Sequence, residues 1–387
     1  MLPPEVWLNV CSYLDTNSLH AVSLSSWMLH QCASTHLWNS PTRPLHTVRH
    51  AIPLGWTATE SSAEIIDPNS PPPTPEPLNP LFADYDGRSV GLLATLERSP
   101  DAELFCRHYV RRLLLVYNSS DPWCTLDSEF GHTMLTNNNF QNLRDLTICI
   151  FGNGSSTDPH LDKLKEGFFQ WCSRGEGRNV HITCKNSTFL SGESIDKSVY
   201  LALHSVQLAR ICTEGLNQLL ENSTNLKYLS VCSSPESTLK VCLRHMSGLE
   251  YLDMDSPLYS RVVAIPVGLK TLKITGLNEV PADLLRLVEN VHRLYLEIEV
   301  LETERFCQTV LETEFDFTME SVRELHIVGG VTDLVVLKLL ELTPQARVLV
   351  VRDAQRLSNQ ACFESLHCKK NLEMISWSTQ DESVIIS

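Results

Sequence analysis

The chain has 387 residues, 43% of them apolar, and a formal net charge of −15. That is length enough for more than one domain and composition enough for a buried core, which argues against wholesale disorder. The negative field argues against unspecific binding to nucleic acid or anionic lipid, which needs Lys and Arg to displace counterions.

Residues 2–38 read as three short helices. Pro3 and Pro4 suit a first helical turn, where the missing N–H would have no intrahelical acceptor. Val6, Val10, Tyr13 and Leu14 recur at i, i+4, i+7 and i+8, making one apolar face. Asp15 is placed to cap a second helix carrying Leu19 and Val22. A third runs from about Ser25 to Ala33, before Leu37 and Trp38 close the unit. So small a module has too little core to be robust alone and is expected to lean on something else.

The blocks Leu2-Pro3-x-Glu5-Val6, Val10-x-Ser12-Tyr13-Leu14-Asp15, Leu19-x-x-Val22-Ser23-Leu24 and Leu37-Trp38 occur in an order and spacing that resemble the F-box. The resemblance implies docking onto a Skp-type adaptor and, through it, a cullin of a ubiquitin ligase. It assigns the adaptor interface to Leu2, Pro3, Val6, Val10, Leu14, Leu19, Val22, Leu37 and Trp38. The pattern departs from that family in the third helix, where Leu29 holds the aromatic position and the nearest tryptophan, Trp27, comes two residues earlier.

Residues 41–80 form a connecting segment whose part 67–80, DPNSPPPTPEPLNP, is dense in proline and reads as an extended linker. Beyond it, Val90 to Arg98 and Asp101 to Tyr109 are expected to be helical, leading into Val110-Arg-Arg-Leu113. This arrangement resembles the region after the F-box in many fungal F-box proteins. The domain reading is therefore 1–40, the connecting segment 41–80, and 81–387.

Self-similarity dominates the last of these. An apolar-x-x-apolar-x-apolar pattern begins at Val110, Leu143, Leu203, Leu226, Leu249, Leu269, Val291, Val322, Ala346 and Leu372, with a weaker copy at Val180 and Ile182. The last two apolar positions of each copy share a face of a strand, so stacked copies bury a continuous stripe. Helix-compatible stretches lie between copies: Ala282 to Val291 carries Leu284, Leu285 and Val288, and Leu334 to Leu342 carries Val335, Leu339 and Leu342. A strand and helix recurring in this way resemble leucine-rich repeats. The expected fold class is α/β, a short three-helix F-box followed by an irregular leucine-rich-repeat solenoid of parallel strands and flanking helices. A compact α/β domain with parallel strands is the alternative. The repeat's usual Asn or Cys after the strand appears only at Asn118; elsewhere the position holds Ser234, Pro257, Leu277, Glu299, Gly330 or Ala354.

The same register places Tyr228, Tyr251, Asp253, Asp255, Lys273, Arg293, Tyr295, Glu297, Glu324, His326 and Arg352 on the open, concave face. Tyrosines and arginines amid mixed charge suit a protein-recognition surface, and this set is the candidate substrate site.

Motifs for chemistry are missing. There is no phosphate-binding GxxxxGK[ST] loop, HExxH or GxSxG, and Gly152-Asn-Gly154 lacks a dinucleotide fingerprint. Cys362, His367 and Cys368, like Cys106 and His108, lack the paired spacing of a zinc site. Asp253-Met-Asp255 could be read as a metal-binding pair in a hydrolase or transferase, but the repeat register makes both solvated strand carboxylates. No catalytic residue, metal or cofactor is assigned. No apolar run nears the roughly 20 residues of a membrane span, and no export leader is read, so a cytoplasmic or nuclear location is expected. Its 13 cysteines, without a CxxC pair, are then expected to be reduced and buried. The sequence therefore points to a non-enzymatic substrate-recognition subunit of an SCF-type cullin ubiquitin ligase, binding a Skp-type adaptor and a protein substrate of unassigned identity. A repeat scaffold with the N-terminal helices as a cap is the competing reading.

Overall fold

The computed structural model describes residues 3–14, 16–26, 28–29, 32–33, 111–118, 131–132, 135–136, 142–151, 159–174, 178–184, 187–190, 195–211, 213–233, 241–255, 260–288, 290–353, 371–378 and 383–386. They fall into two compact units, Met1–Leu203 and His204–Ser387. The Pro-rich segment and the helices expected over 90–98 and 101–109 lie outside the described residues.

The first unit begins with helices α1 (Pro4–Cys11) and α2 (Thr16–Ser23). Pro3 precedes α1 in extended conformation (φ −60°, ψ 151°) and its carbonyl accepts from Val6 N–H at 3.1 Å, so proline starts the helix without a side-chain cap. Cys11, Leu19, Cys32 and Ala33 are at most 6% exposed and form one small core, on which Trp7, Leu8, Leu14 and Val22 pack. Met28, Leu29, Cys32 and Ala33 are helical, and Ser26 Oγ accepts from Leu29 N–H at 3.2 Å, the bond of an N-cap. The rest of the expected third helix, with Leu37 and Trp38, lies outside the described residues.

Farther along this unit, β1 (Arg112–Asn118), β2 (Asp145–Phe151) and β3 (Asn179–Cys184) pair in parallel in that order. Their buried positions stack in rows: Leu113, Leu146 and Val180, then Leu115, Ile148 and Ile182, then Tyr117, Ile150 and Cys184. Helix α3 (Pro159–Ser173) makes the crossover from β2 to β3 and buries Leu161, Leu164, Phe168, Trp171 and Cys172, a stripe at helical spacing. Phe168 stacks on Phe189 with ring centroids 5.5 Å apart. Helix α4 (Lys197–Ala202) is capped by Asp196, whose carboxylate accepts from Ser198 N–H at 2.8 Å.

The second unit is built on a sheet of β4 (Leu203–Ile211), β5 (Tyr228–Ser233), β7 (Tyr251–Asp255), β9 (Thr271–Leu277), β10 (Arg293–Ile298), β11 (Glu324–Val328), β12 (Val348–Arg352) and β13 (Met374–Ser378). These neighbours are parallel, and β14 (Ser383–Ile386) adds an antiparallel edge. Every apolar copy from Leu203 to Leu372 therefore becomes a strand. One cross-strand row runs Val206, Leu229, Leu252, Leu272, Leu294, Leu325, Leu349, Ile375, and the next runs Leu208, Val231, Met254, Ile274, Leu296, Ile327, Val351, Trp377. No member is more than 3% exposed. The residue before each strand also donates its N–H to the matching residue of the repeat before it: Lys227 to His204, Glu250 to Lys227, Lys270 to Glu250, His292 to Lys270, Arg323 to His292, Arg347 to Arg323 and Glu373 to Arg347, all at 2.7–2.9 Å. This column fixes the stacking before side chains are counted.

Helices cover the buried face. They are α5 (Thr213–Asn222), α6 (Ala282–Arg286), α7 (Thr303–Glu312) and α8 (Asp333–Leu342). Phe306 and Val310 of α7, and Val335, Val336, Leu339, Leu340 and Leu342 of α8, face the strands' buried rows. The stretch expected to be helical over Ala282 to Val291 is shorter, because the helix ends at Arg286 and Val291 already leads into β10. Between β5 and β9 no helix occurs among the described residues; β6 (Val241–Cys242) and β8 (Val262–Ala264) pair with each other instead. Leu226, Leu249 and Leu269 start only 23 and 20 residues apart, which leaves little chain for a crossover helix. The molecule is thus a mixed α/β protein with a parallel sheet and an N-terminal helical module.

Candidate functional site

Two surfaces emerge, one on the N-terminal module and one on the sheet. On the module, Val6 and Val10 stand four residues apart on α1 and are 41% and 39% exposed. Tyr13 and Leu24 are 83% and 87% exposed. Pro3 is also exposed, whereas Leu14 and Val22 pack onto the small core and Leu19 lies inside it. Of the residues assigned to the adaptor interface, Pro3, Val6 and Val10 are thus presented outward. Leu14, Leu19 and Val22 hold the module together. Leu2, Leu37 and Trp38 lie outside the described residues. The α1 face is accordingly different from the one drawn above, because α1 ends at Cys11 and turns Leu14 inward while Tyr13 projects.

The module also presents two residues that were not chosen from the sequence. Tyr13 and Leu24 each follow the end of a helix, where no helical face is left to bury them. The signal was there in principle, since both are large apolar side chains beside serine.

On the second unit, the strands place Tyr228, Tyr251, Asp253, Asp255, Lys273, Arg293, Tyr295, Glu297, Glu324, His326 and Arg352 on one face, opposite the buried rows. All but Tyr228 and Arg352 are half-buried; Tyr228 is 6% exposed and Arg352 is exposed. Rows across the sheet bring them together. Ser230, Asp253, Lys273, Tyr295 and His326 are successive partners, and Tyr228, Tyr251, Thr271, Arg293 and Glu324 form the row beside them.

Stacking and charge organise this face. The rings of Tyr228 and Tyr251 lie parallel, centroids 4.3 Å apart, and Tyr295 stacks on His326 at 4.1 Å. Asp253 accepts from Ser230 Oγ at 3.0 Å. Lys273 Nζ lies 3.2 Å from Glu297 and 4.0 Å from Asp253, so one ammonium serves two carboxylates. Arg293 Nε donates to Glu324 at 3.0 Å, and His326 Nε2 lies 3.7 Å from the other oxygen of Glu324.

Burial raises the Asp253 carboxyl above its usual range, with Lys273 and Ser230 opposing the shift. Expecting solvated carboxylates at both Asp253 and Asp255 was therefore wrong for Asp253, whose side chain is only 16% exposed. The pleat points it away from the core, but flanking tyrosines cover it. Burial also pushes the phenols of Tyr228, Tyr251 and Tyr295 upward, with nearby carboxylates adding to the effect. Glu324 goes the other way: its contact with His326 and its bond from Arg293 hold it below the usual range.

Among the described residues no group of three or more His, Cys, Asp and Glu side chains is placed to hold a metal. Cys106, His108, Cys362, His367 and Cys368 lie outside them. No helix of the described residues is long and apolar enough to cross a membrane. Of the described cysteines, Cys11, Cys32, Cys149, Cys172 and Cys184 are buried, with the thiols of Cys149 and Cys172 pushed up to about 12 by desolvation. Cys242 is exposed, so burial does not hold for every thiol.

The class these elements define is a small α-helical module joined in sequence to a parallel-stranded α/β protein. The module has a known counterpart: a family model described as F-box-like matches residues 1–44. The chain thus carries an F-box-like domain. No curated protein matches the chain.

Proposed function

We propose that this protein is a substrate-recognition subunit of an SCF-type cullin ubiquitin ligase. The F-box-like domain docks a Skp-type adaptor, and the sheet-bearing remainder, read as an irregular leucine-rich-repeat solenoid over residues 81–387, holds a protein substrate on its open face. The F-box is read as three helices over residues 1–40, with 41–80 as the connecting segment and location in the cytoplasm or nucleus. The subunit does no bond chemistry itself. The observation that carries the reading is the F-box-like match at residues 1–44 on a module that keeps Val6, Val10, Tyr13 and Leu24 exposed over a core of its own. Outward apolar residues above a closed core suit a docking surface better than a cap, which would turn them inward.

The experiment is capture of a purified Skp-type adaptor by the full chain and by a chain lacking residues 1–44. The receptor reading expects the adaptor to be held only by the full chain while the truncated chain keeps its cooperative melting transition. Adaptor captured equally by both chains would overturn it.

A further inference from the structure

We propose that the N-terminal module carries a redox clamp, in which a hydroperoxide joins Cys11 and Cys32 into a reversible disulfide that ties α1 to the helical turn at 32–33. The clamp concerns the module's own closure and holds whatever the module binds.

Position carries the inference. Cys11 is the last residue of α1, and Cys32 belongs to a separate helical turn, so the two thiols come from different elements. They are nevertheless two of the four residues of one small core, with Leu19 and Ala33, and are 1% and 4% exposed. Desolvation raises the Cys11 thiol above its usual range, and the nearby Cys32 sulfur adds to the rise. Other described cysteines on neighbouring elements are not arranged this way. Cys149 and Cys184 stand on paired strands, but Cys184 lies in the buried row with Ile150 while Cys149 alternates to the opposite face.

The chemistry follows from a core so small that it opens readily. In the closed module both thiols are shielded from oxidant and Cys11 is held protonated, which makes the pair inert. Opening exposes them, and reclosing brings them together. A hydroperoxide takes the electron pair of one thiolate, leaving a sulfenic acid and water. The other thiolate attacks that sulfur, the S–S bond forms, and the departing hydroxide leaves as a second water. Two thiols and one hydrogen peroxide thus give one disulfide and two waters, and a thiol reductant reverses the bond. The bond closes a loop of about twenty residues, which on the chain-entropy scale shifts the opening equilibrium about a hundredfold towards the closed form. Val6 and Val10 ride on the clamped helix, so their surface is held in its closed arrangement.

The test treats the full chain with dilute hydrogen peroxide, blocks remaining thiols and maps the digested peptides by mass spectrometry. Exposed Cys242 is the control that the oxidant has reacted. Expected is the Cys11 peptide joined to the Cys32 peptide, separated again by dithiothreitol. Amide hydrogen exchange over α1 and α2 should slow about ten- to a hundredfold in the oxidised protein. In Cys32→Ala, Cys11 should stop at the sulfenic acid, trapped by dimedone, and peroxide should no longer slow exchange. That variant also loses core, so the linkage in the unmodified chain decides. Cys242 oxidised while Cys11 and Cys32 stay unlinked, Cys11 joined as readily to other cysteines, a linked module whose exchange is not slowed, or slowing that persists in Cys32→Ala would each overturn the proposal.

Discussion

Replacing both Val6 and Val10 by alanine tests the adaptor surface at a magnitude the structure sets. Burying a valine side chain completely is worth about 1.5–3 kcal/mol. With 41% and 39% of these residues exposed, docking can claim about 0.6–1.2 kcal/mol from each. Alanine keeps Cβ, so the double variant should lose about 1–2 kcal/mol, or roughly five- to thirtyfold in affinity. Leu24→Ala, starting from 87% exposure, should add about 1–2.5 kcal/mol if Leu24 lies in the same interface. The assay is titration calorimetry of the full chain against a purified Skp-type adaptor, paired with thermal melts. Stability should hold, because exposed valine in a helix gives way to the better helix former. Leu19→Ala is the contrasting variant: at 6% exposure it removes core, and a cost of about 2–5 kcal/mol should unfold so small a module and abolish binding with it. If Val6→Ala/Val10→Ala/Leu24→Ala binds within about twofold of the parent, the reasoning fails, since even one exposed valine exceeds that difference.

Three further outcomes follow from the second half of the structure and from α3. Glu324, held low by His326 and Arg293, contributes stability that is present above its unfolded value of about 4.3 and is lost as pH falls through its lower folded value. Glu324→Gln should therefore melt below the parent at pH 7, and the gap in melting temperature should close as the pH is taken towards 3; a constant gap would count against the linkage. Phe168→Ala, at 0% exposure and stacked on Phe189, should cost about 3–5 kcal/mol in chemical denaturation of the first unit. Gly329→Ala should cost about 1–3 kcal/mol in denaturant titration, because φ is 132° there and an added Cβ would sit 3.0 Å from Ile298 Cβ.

The strands were legible because their signal is periodic and local. Leu252 and Met254, or Leu272 and Ile274, alternate with polar residues and need no partner to be recognised as one face. The helices were less so. Helix α3 buries Phe168 and Trp171 on a stripe interrupted by Lys163, Lys165 and Glu166, and it falls where the repeat spacing is widest. The β6–β8 pairing depends on two distant segments being brought side by side by β5, β7 and β9, so neither Val241-Cys242 nor Val262-Val263-Ala264 announces it. Strand β14 pairs antiparallel beside β13, whereas the pairings from β4 to β13 are parallel, and periodicity carries no information on direction.

The open face shows where residue patterns stop and contacts begin. Alternation was enough to place Tyr228, Asp253 and Lys273 on the same side of the sheet, and it said nothing about how far water reaches them. Large neighbours decide that. Tyr251 follows Tyr228 in the row beside Ser230 and Asp253, and two rings stacked at 4.3 Å shelter the carboxylate between them and Lys273. A half-buried carboxylate is costly unless it is bonded, which is why Ser230 and Lys273 both turn towards it. The same low-dielectric setting strengthens any further charge that reaches it. On the module the logic is reversed. Cys11, Leu19, Cys32 and Ala33 close the core with small and medium side chains, so Val6, Val10, Tyr13 and Leu24 are left outside not for lack of apolar character but for lack of room. One surface is a polar face made partly dry, the other an apolar face left wet.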